Sequence, residues 1–196
     1  MILSNVEIIK CLKKKYFSIE PLAQSTDPSQ PPFNTTAIDL RLGNEIIIPT
    51  SGPVAIDLRP GTSIAKYLSL NSEKITIATN HPYDLRKDQF ILASTFEKVN
   101  FPINTGKGKQ CYSARVEGKS SIARCGVIVH LTAPTIHTNF IGPITLELTN
   151  LSDTPFVLRP EMYICQLIIE EVKGCPKIAP NQFSGQIDST GIVKAK

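Results

Sequence analysis

The sequence predicts an all-β domain, and three observations carry that expectation. Between about Thr36 and Val172, apolar and polar residues alternate in short runs. Turn-forming groups separate those runs, and the clearest helical spacing is confined to the N-terminus. Many short strands with few helices point to an antiparallel sandwich, jelly roll or barrel. The 196 residues suit a single domain with short appended arms, and a 41% hydrophobic content supplies a core.

Taken in order, Ser4 and Glu7 have capping-box spacing, and Ile8, Ile9 and Leu12 form an apolar stripe, so a helix is expected to end near Lys15. Pro21 to Pro32 is rich in Pro and Ser, lacks periodicity and reads as a surface loop. Ala37–Leu42 alternates Ile38, Leu40 and Leu42 against Asp39 and Arg41. Further strands are expected at Glu45–Ile48, Lys74–Ala78, Phe90–Ser94, Gly126–Thr132, Pro143–Thr149, Phe156–Leu158 and Tyr163–Glu170. Ser51-Gly52-Pro53, Arg59-Pro60-Gly61 and Thr105-Gly106-Lys107-Gly108 read as turns. From Pro176 onward the chain is polar and reads as an arm or a lid.

Composition excludes several function classes. No apolar run approaches the roughly 20 residues that cross a bilayer, and Met1-Ile2-Leu3-Ser4 lacks a signal-peptide layout, so no membrane partner and a cytoplasmic location are expected. The formal charge is +4, but the basic residues are scattered, and Lys13-Lys14-Lys15 reads as a solvated helix face. With no Trp and 7% aromatics there is no stacking platform for single strands, so no nucleic-acid partner is expected. Cys11, Cys111, Cys125, Cys165 and Cys175 form no C-x-x-C pair and read as reduced thiols, mostly core-filling. None of His81, His130 and His137 begins H-x-E, so the site of zinc-dependent nucleobase deaminases cannot be built and no metal ligands are assigned. Serine-hydrolase elbow, P-loop and dinucleotide fingerprints are also missing.

Three segments exceed what a generic β-domain needs. In Val116 to Arg124, a glycine, a base and two hydroxyls introduce a short helix, an arrangement suited to phosphate oxygens. Taken alone, the plainer reading is an ordinary serine-started helix with Arg124 facing water. In Gly142 to Asn150, Ile144, Leu146 and Leu148 alternate with Thr145, Glu147 and Thr149. Glu147 therefore faces either water or a cleft, and in a cleft its carboxylate becomes a candidate proton carrier. Gln182-Phe183-Ser184-Gly185-Gln186 is by itself only a polar tail.

These segments, in this order, resemble the dCTP deaminase branch of the dUTPase-like family. Ala37 to Gly43 resembles its DLRLG strand, and Leu92 to Glu97 its T-x-E segment. Glu117 to Arg124 is similar to E-G-[RK]-S-S-[LI]-A-R, and Pro160, Met162, Ile164 and Gln166 to P-G-M-x-I-x-Q-L, with Glu161 in place of glycine. Phe183, Gly185 and Gln186 resemble the Y-x-G-Q arm. The resemblance implies a distorted jelly-roll (β-clip) dUTPase-like fold over residues 1–196. It places a short N-terminal helix in about 1–20 and a C-terminal arm in about 176–196. It also implies a homotrimer with active sites between subunits, and Mg²⁺ carried by the nucleotide triphosphate rather than by the protein.

By the same resemblance Lys119, Ser120 and Ser121 hold phosphates, Gln186 closes over them, and Gln166 frames the nucleotide. Ser120, Arg124 and the backbone at Ala133 position a water beside the catalytic Glu147, whose charge Arg124 keeps usable. Thr145, Leu146, Gln182 and Phe183 complete the nucleotide-binding set. One departure concerns Ile136-His137-Thr138-Asn139-Phe140, where many relatives have I-D-P-G-[WF]. His137 can bond a ribose hydroxyl but is no equivalent anionic base, so deamination is expected to survive and dUTP hydrolysis to be weak or absent. Gln182 stands where a lysine is common, and Phe183 lacks the tyrosine hydroxyl. The expected reaction is dCTP and water to dUTP and ammonia, on the way to dUMP and dTTP, with dTTP a candidate inhibitor. The alternatives are a dUTP diphosphatase, a bifunctional enzyme taking dCTP to dUMP, and a non-catalytic nucleotide-binding module.

Overall fold

The computed structural model describes residues 1–22, 27–50, 56–57, 63–105, 110–179, 183, 185–186 and 188–191. Helix α1 (Asn5–Lys13) leads into β1 (Ser18–Glu20), β2 (Phe33–Asn34) and the long β3 (Ala37–Pro49). Next come α2 (Ile64–Leu70), β4 (Ser72–Thr76), β5 (Tyr83–Leu85), β6 (Phe90–Asn100) and β7 (Cys111–Gly118). The short α3 (Ser120–Ala123), β8 (Val127–Ile128), β9 (Thr135–Ile136), β10 (Ile141–Asn150), β11 (Phe156–Leu158) and β12 (Tyr163–Val172) complete the order.

The Ser4 hydroxyl accepts the Glu7 amide at 3.3 Å and starts α1 as its spacing predicts. Ile8 and Cys11 pin the helix to the core. Pairing runs β8–β10–β6–β3–β12–β7–β9, all antiparallel, and β3 is the spine. Its first half, Ile38 to Arg41, pairs β12, while Leu42, Ile46 and Ile47 pair β6. The register shifts between Leu42 and Ile46, and a β-carbon at Gly43 would meet the Ser94 carbonyl at 3.0 Å. The two strands predicted at Ala37–Leu42 and Glu45–Ile48 are therefore one. Gly43-Asn44 is a bulge where the strand turns from one half of the curled sheet to the other, not a break.

Two further expectations change. The strand predicted over Gly126–Thr132 pairs only through Val127 and Ile128, because beyond them the Leu131 amide bonds the Glu147 side chain instead of a ladder. Strand β7 is an addition to the expected set, although Tyr112, Ala114 and Val116 are buried at alternate positions against β12. Helix α2, capped by Ser63 on the Lys66 amide at 3.2 Å, buries no residue fully and has too weak a stripe to announce itself. The turn groups at 51–53, 59–61 and 106–108 lie outside the described residues. Cys11, Cys111 and Cys165 fill the core, while Cys125 and Cys175 are exposed.

Asp39 and Arg41 share the other face of β3 and are covered too. The Glu97 carboxylate, 3% exposed, accepts the Arg41 Nε–H at 2.7 Å and the Arg41 amide at 2.8 Å. The Arg41 guanidinium also reaches exposed Glu161 at 2.8 Å and lies 4.5 Å from the Phe96 ring centroid. Removing the cation leaves Glu97 charged and buried, which costs about 3–5 kcal/mol, whereas an exposed partner contributes under about 1 kcal/mol. Arg41→Ala should therefore lower stability in urea unfolding by several-fold more than Glu161→Ala. Equal losses would show that the buried carboxylate does not need its cation.

Candidate active site

Strand β10 decides which way its side chains face. Ile144, Leu146 and Leu148 are 2%, 0% and 0% exposed, so Thr145, Glu147 and Thr149 lie on the opposite face and are half-buried. That face borders a cavity of about 400 Å³ instead of open water. Glu147 is the one carboxylate among its described lining residues. Its Oε2 accepts the Leu131 amide at 3.0 Å, which holds the acid against the segment leaving β8. A carboxylate bonded in this way keeps a fixed orientation and a second oxygen for a further partner.

The cavity gathers several residues marked out in the sequence. Ala133 and His137 line it from the segment around β9, together with Phe140. Thr145 stands two residues from Glu147 on the same strand. Phe183 and Gln186 reach it from the C-terminal tail. Gln186 is 6% exposed, and its amide donates to the Pro143 carbonyl at 2.8 Å and the Thr145 hydroxyl at 2.9 Å. Leu146 points into the core, so only its backbone is available to a ligand. Gln182 lies outside the described residues.

The remaining candidates form a second cluster. Ser120 and Ser121 on α3 and Arg124 at its C-terminal end are exposed, and none lines the cavity. Among the described residues no ion pair joins Arg124 to Glu147, whose carboxylate is bonded to the Leu131 amide. The Lys119 ammonium is bonded to Asp39, and the other Asp39 oxygen accepts the Asn34 amide at 2.8 Å. Lys119 also lies 5.8 Å from the Tyr163 ring centroid. The Gln166 amide donates to the Gly118 carbonyl at 3.2 Å, so Gln166 braces the turn from below. Among the described residues, no three His, Cys, Asp or Glu side chains converge as a metal site.

Sequence reading missed some of the wall. His130 lines the cavity, with Nε2 3.6 Å from a Glu117 oxygen. Val127 and Val129 are buried, so period two alone would have put Ile128 and His130 on the other face. Ile64 and Leu68 of α2 and the tail residues Ser189, Thr190 and Gly191 gave no local signal.

Lys119→Met leaves the Asp39 carboxylate, 9% exposed, without its cation. We expect a stability loss of about 1–3 kcal/mol, read as a lower thermal midpoint. Ser120→Ala should stay within about 0.5 kcal/mol of the parent. A reversed order would remove Lys119 from the structural frame.

The dCTP deaminase-like family model matches residues 2–172. A dUMP-forming dCTP deaminase of Dictyoglomus turgidum is 37% identical over 168 residues, 85% of this chain and 78% of that one. Another, of Aquifex aeolicus, is 32% identical over 187 residues, 95% and 91% of the two chains. A dCTP deaminase of Haloarcula marismortui is 33% identical over 179 residues, 88% and 82% of the two chains. The crystal structure of 2'-deoxycytidine 5'-triphosphate deaminase from Agrobacterium tumefaciens aligns over 87% of this chain with a TM-score of 0.62 and 18% identity. This chain spans 47% of the length of that one, and the likeness shows a shared fold. On its matched length and its curated relatives, the chain belongs to the dCTP deaminase-like family.

Proposed function

We propose that this protein deaminates dCTP hydrolytically, releasing dUTP and ammonia, with Glu147 as the proton carrier. The observation that carries the reading is a single carboxylate, oriented by the Leu131 amide, on the wall of a nucleotide-sized cavity. In the first step Glu147 takes a proton from water as the water oxygen bonds C4 of cytosine, and passes that proton to N3. In the second it moves the new hydroxyl proton to the exocyclic amine. The C4–N bond then breaks, C4=O forms and ammonia leaves. One positioned acid–base group is worth about 10²–10⁴-fold, so further donors must stabilise the developing charge.

Ser120 and Arg124, the donors this reading adds, do not line the cavity of their own chain and lie exposed at the two ends of α3. We assign them to the cavity of a neighbouring copy in a trimer. Exposed Leu131, 49% accessible, lies beside Glu147 where such a neighbour would pack. Mg²⁺ belongs to the triphosphate in this reading and enters no step at the ring; dTTP, which shares the triphosphate, is a candidate competitor for the site.

A second reading, dCTP to dUMP and pyrophosphate, is favoured by the names of relatives such as the Dictyoglomus turgidum enzyme. Against it, His137 occupies the cavity wall and no second carboxylate lines it among the described residues. That leaves the α-phosphate without an anionic base. Incubating the protein with dCTP and Mg²⁺ and separating the products should give dUTP and ammonia in equal amounts; dUMP with pyrophosphate as the main products would replace the first reading by the second.

Glu147→Gln keeps the shape of the side chain and removes its basicity. Turnover should fall by at least about 10²–10⁴-fold while dCTP binding, measured by calorimetry, changes little. Full turnover in this variant would exclude the assigned role.

A further inference from the structure

The cavity differs on the two sides of β10. On one side stands β8, and the segment that leaves it brings the Leu131 amide, His130 and Ala133. On the other stands β6, followed in the sheet by β3 and β4, with α2 leading into β4. Register fixes what this second side shows to the acid. Glu147 pairs with Leu92 of β6, and Leu92 pairs with Ile47 of β3. Paired residues of neighbouring antiparallel strands lie on one face, with β-carbons about 4.5–5.5 Å apart. The cross-strand neighbour of the acid is therefore a leucine. Leu92 lines the cavity and is 6% exposed, and Ile47 behind it is 2% exposed. The strand and helix side chains that line this side, Leu92, Ile64 and Leu68, are aliphatic.

A cytosine ring is asymmetric in the same way. The proton transfers given above serve N3, C4 and the exocyclic amine, all on its polar edge. C5 is bonded directly to C4 but carries only a C–H bond. With C4 in reach of Glu147, the polar edge is matched by the β8 side, and C5 turns toward Leu92. The reverse orientation would set N3 against an aliphatic wall, where its lone pair finds no donor, a costly arrangement.

We propose that Leu92, with Ile64 and Leu68, forms a seat for an apolar substituent at C5, and that the protein deaminates 5-methyl-dCTP as well as dCTP. The products are dTTP and ammonia. The inference rests on the deaminase reading, and the chemistry is unchanged. The water oxygen bonds C4, Glu147 moves one water proton to N3 and the other to the amine, the C4–N bond breaks and C4=O forms. The methyl group takes no part, and no further reactant enters. Leu92 is then a specificity-determining residue that meets the substrate without handling a proton.

The test compares kcat/KM for 5-methyl-dCTP and dCTP, read as dTTP or dUTP formed with ammonia. In the parent the two values should lie within about tenfold of each other, and Leu92→Ala should lower the 5-methyl value about tenfold relative to dCTP. If Leu92→Ala fails to fold, Leu68→Gln tests the same ratio from a helix that buries no residue fully. Turnover of dCTP without turnover of 5-methyl-dCTP, or a ratio unmoved in the folded variant, would overturn the seat and leave the deaminase reading standing. If the parent deaminates neither nucleotide, the proposed function falls, and calorimetry decides the seat alone. There 5-methyl-dCTP should bind the parent at least as tightly as dCTP; weaker binding, or none, would overturn it.

Discussion

A strand between a core and a cavity has no third direction for its side chains, and that constraint on β10 organises the molecule. Burying Ile144, Leu146 and Leu148 removes three large aliphatic side chains from water, each worth about 1.5–3 kcal/mol. The alternation that satisfies them holds Thr145 and Glu147 on the far face. A one-residue slip against β6 would expose the aliphatic set and bury the acid, so the register is strongly held. The acid is placed by the energetics of its neighbours, not by its own.

The other polar positions obey the same rule of placement with a different solution. Asp39 and Arg41, two apart on β3, are both covered, and each is matched by opposite charge: Lys119 for Asp39, buried Glu97 and exposed Glu161 for Arg41. Two covered charges of opposite sign on one strand would be costly singly, and the pairing turns them into ties between β3, β6 and the β7–α3 turn. In this arrangement Lys119 is part of the frame of the turn that presents Ser120 and Ser121. Any phosphate it meets competes with a carboxylate already bonded.

The site is therefore divided. Acid, cavity and tail belong to one surface of the chain, and the hydroxyl-and-guanidinium turn belongs to another. On the proposed reading, a reaction that needs both would draw them from two copies, and assembly would be a condition of activity. The His137 position bears on the fate of the deaminated nucleotide: an imidazole can orient a sugar hydroxyl, but removing diphosphate needs a water made nucleophilic by a base. Relatives named for dUMP formation align with most of the chain, so on the proposed reading a difference in product would arise from local chemistry at this wall.

The local patterns in the sequence determined a good deal: the capped helix α1, the period-two runs that became β6, β10, β11 and β12, and the opposition of Glu147 to an aliphatic stripe. These depend on neighbours within a few residues, where propensity and alternation act directly. Whether the face of Glu147 met water or a cavity was open, and only the packing of the β9 segment, α2 and the tail around it decided that. Gly43-Asn44 read as a break and proved a bulge, because a long strand that pairs on both halves of a curled sheet carries two extra residues there relative to β6. The commitment of Lys119 to Asp39, eighty residues away, and of Gln186 to Pro143 and Thr145 likewise came from the tertiary structure. Partner choice over such distances is made by the fold that brings the segments together, and no window along the chain contains both members of the pair.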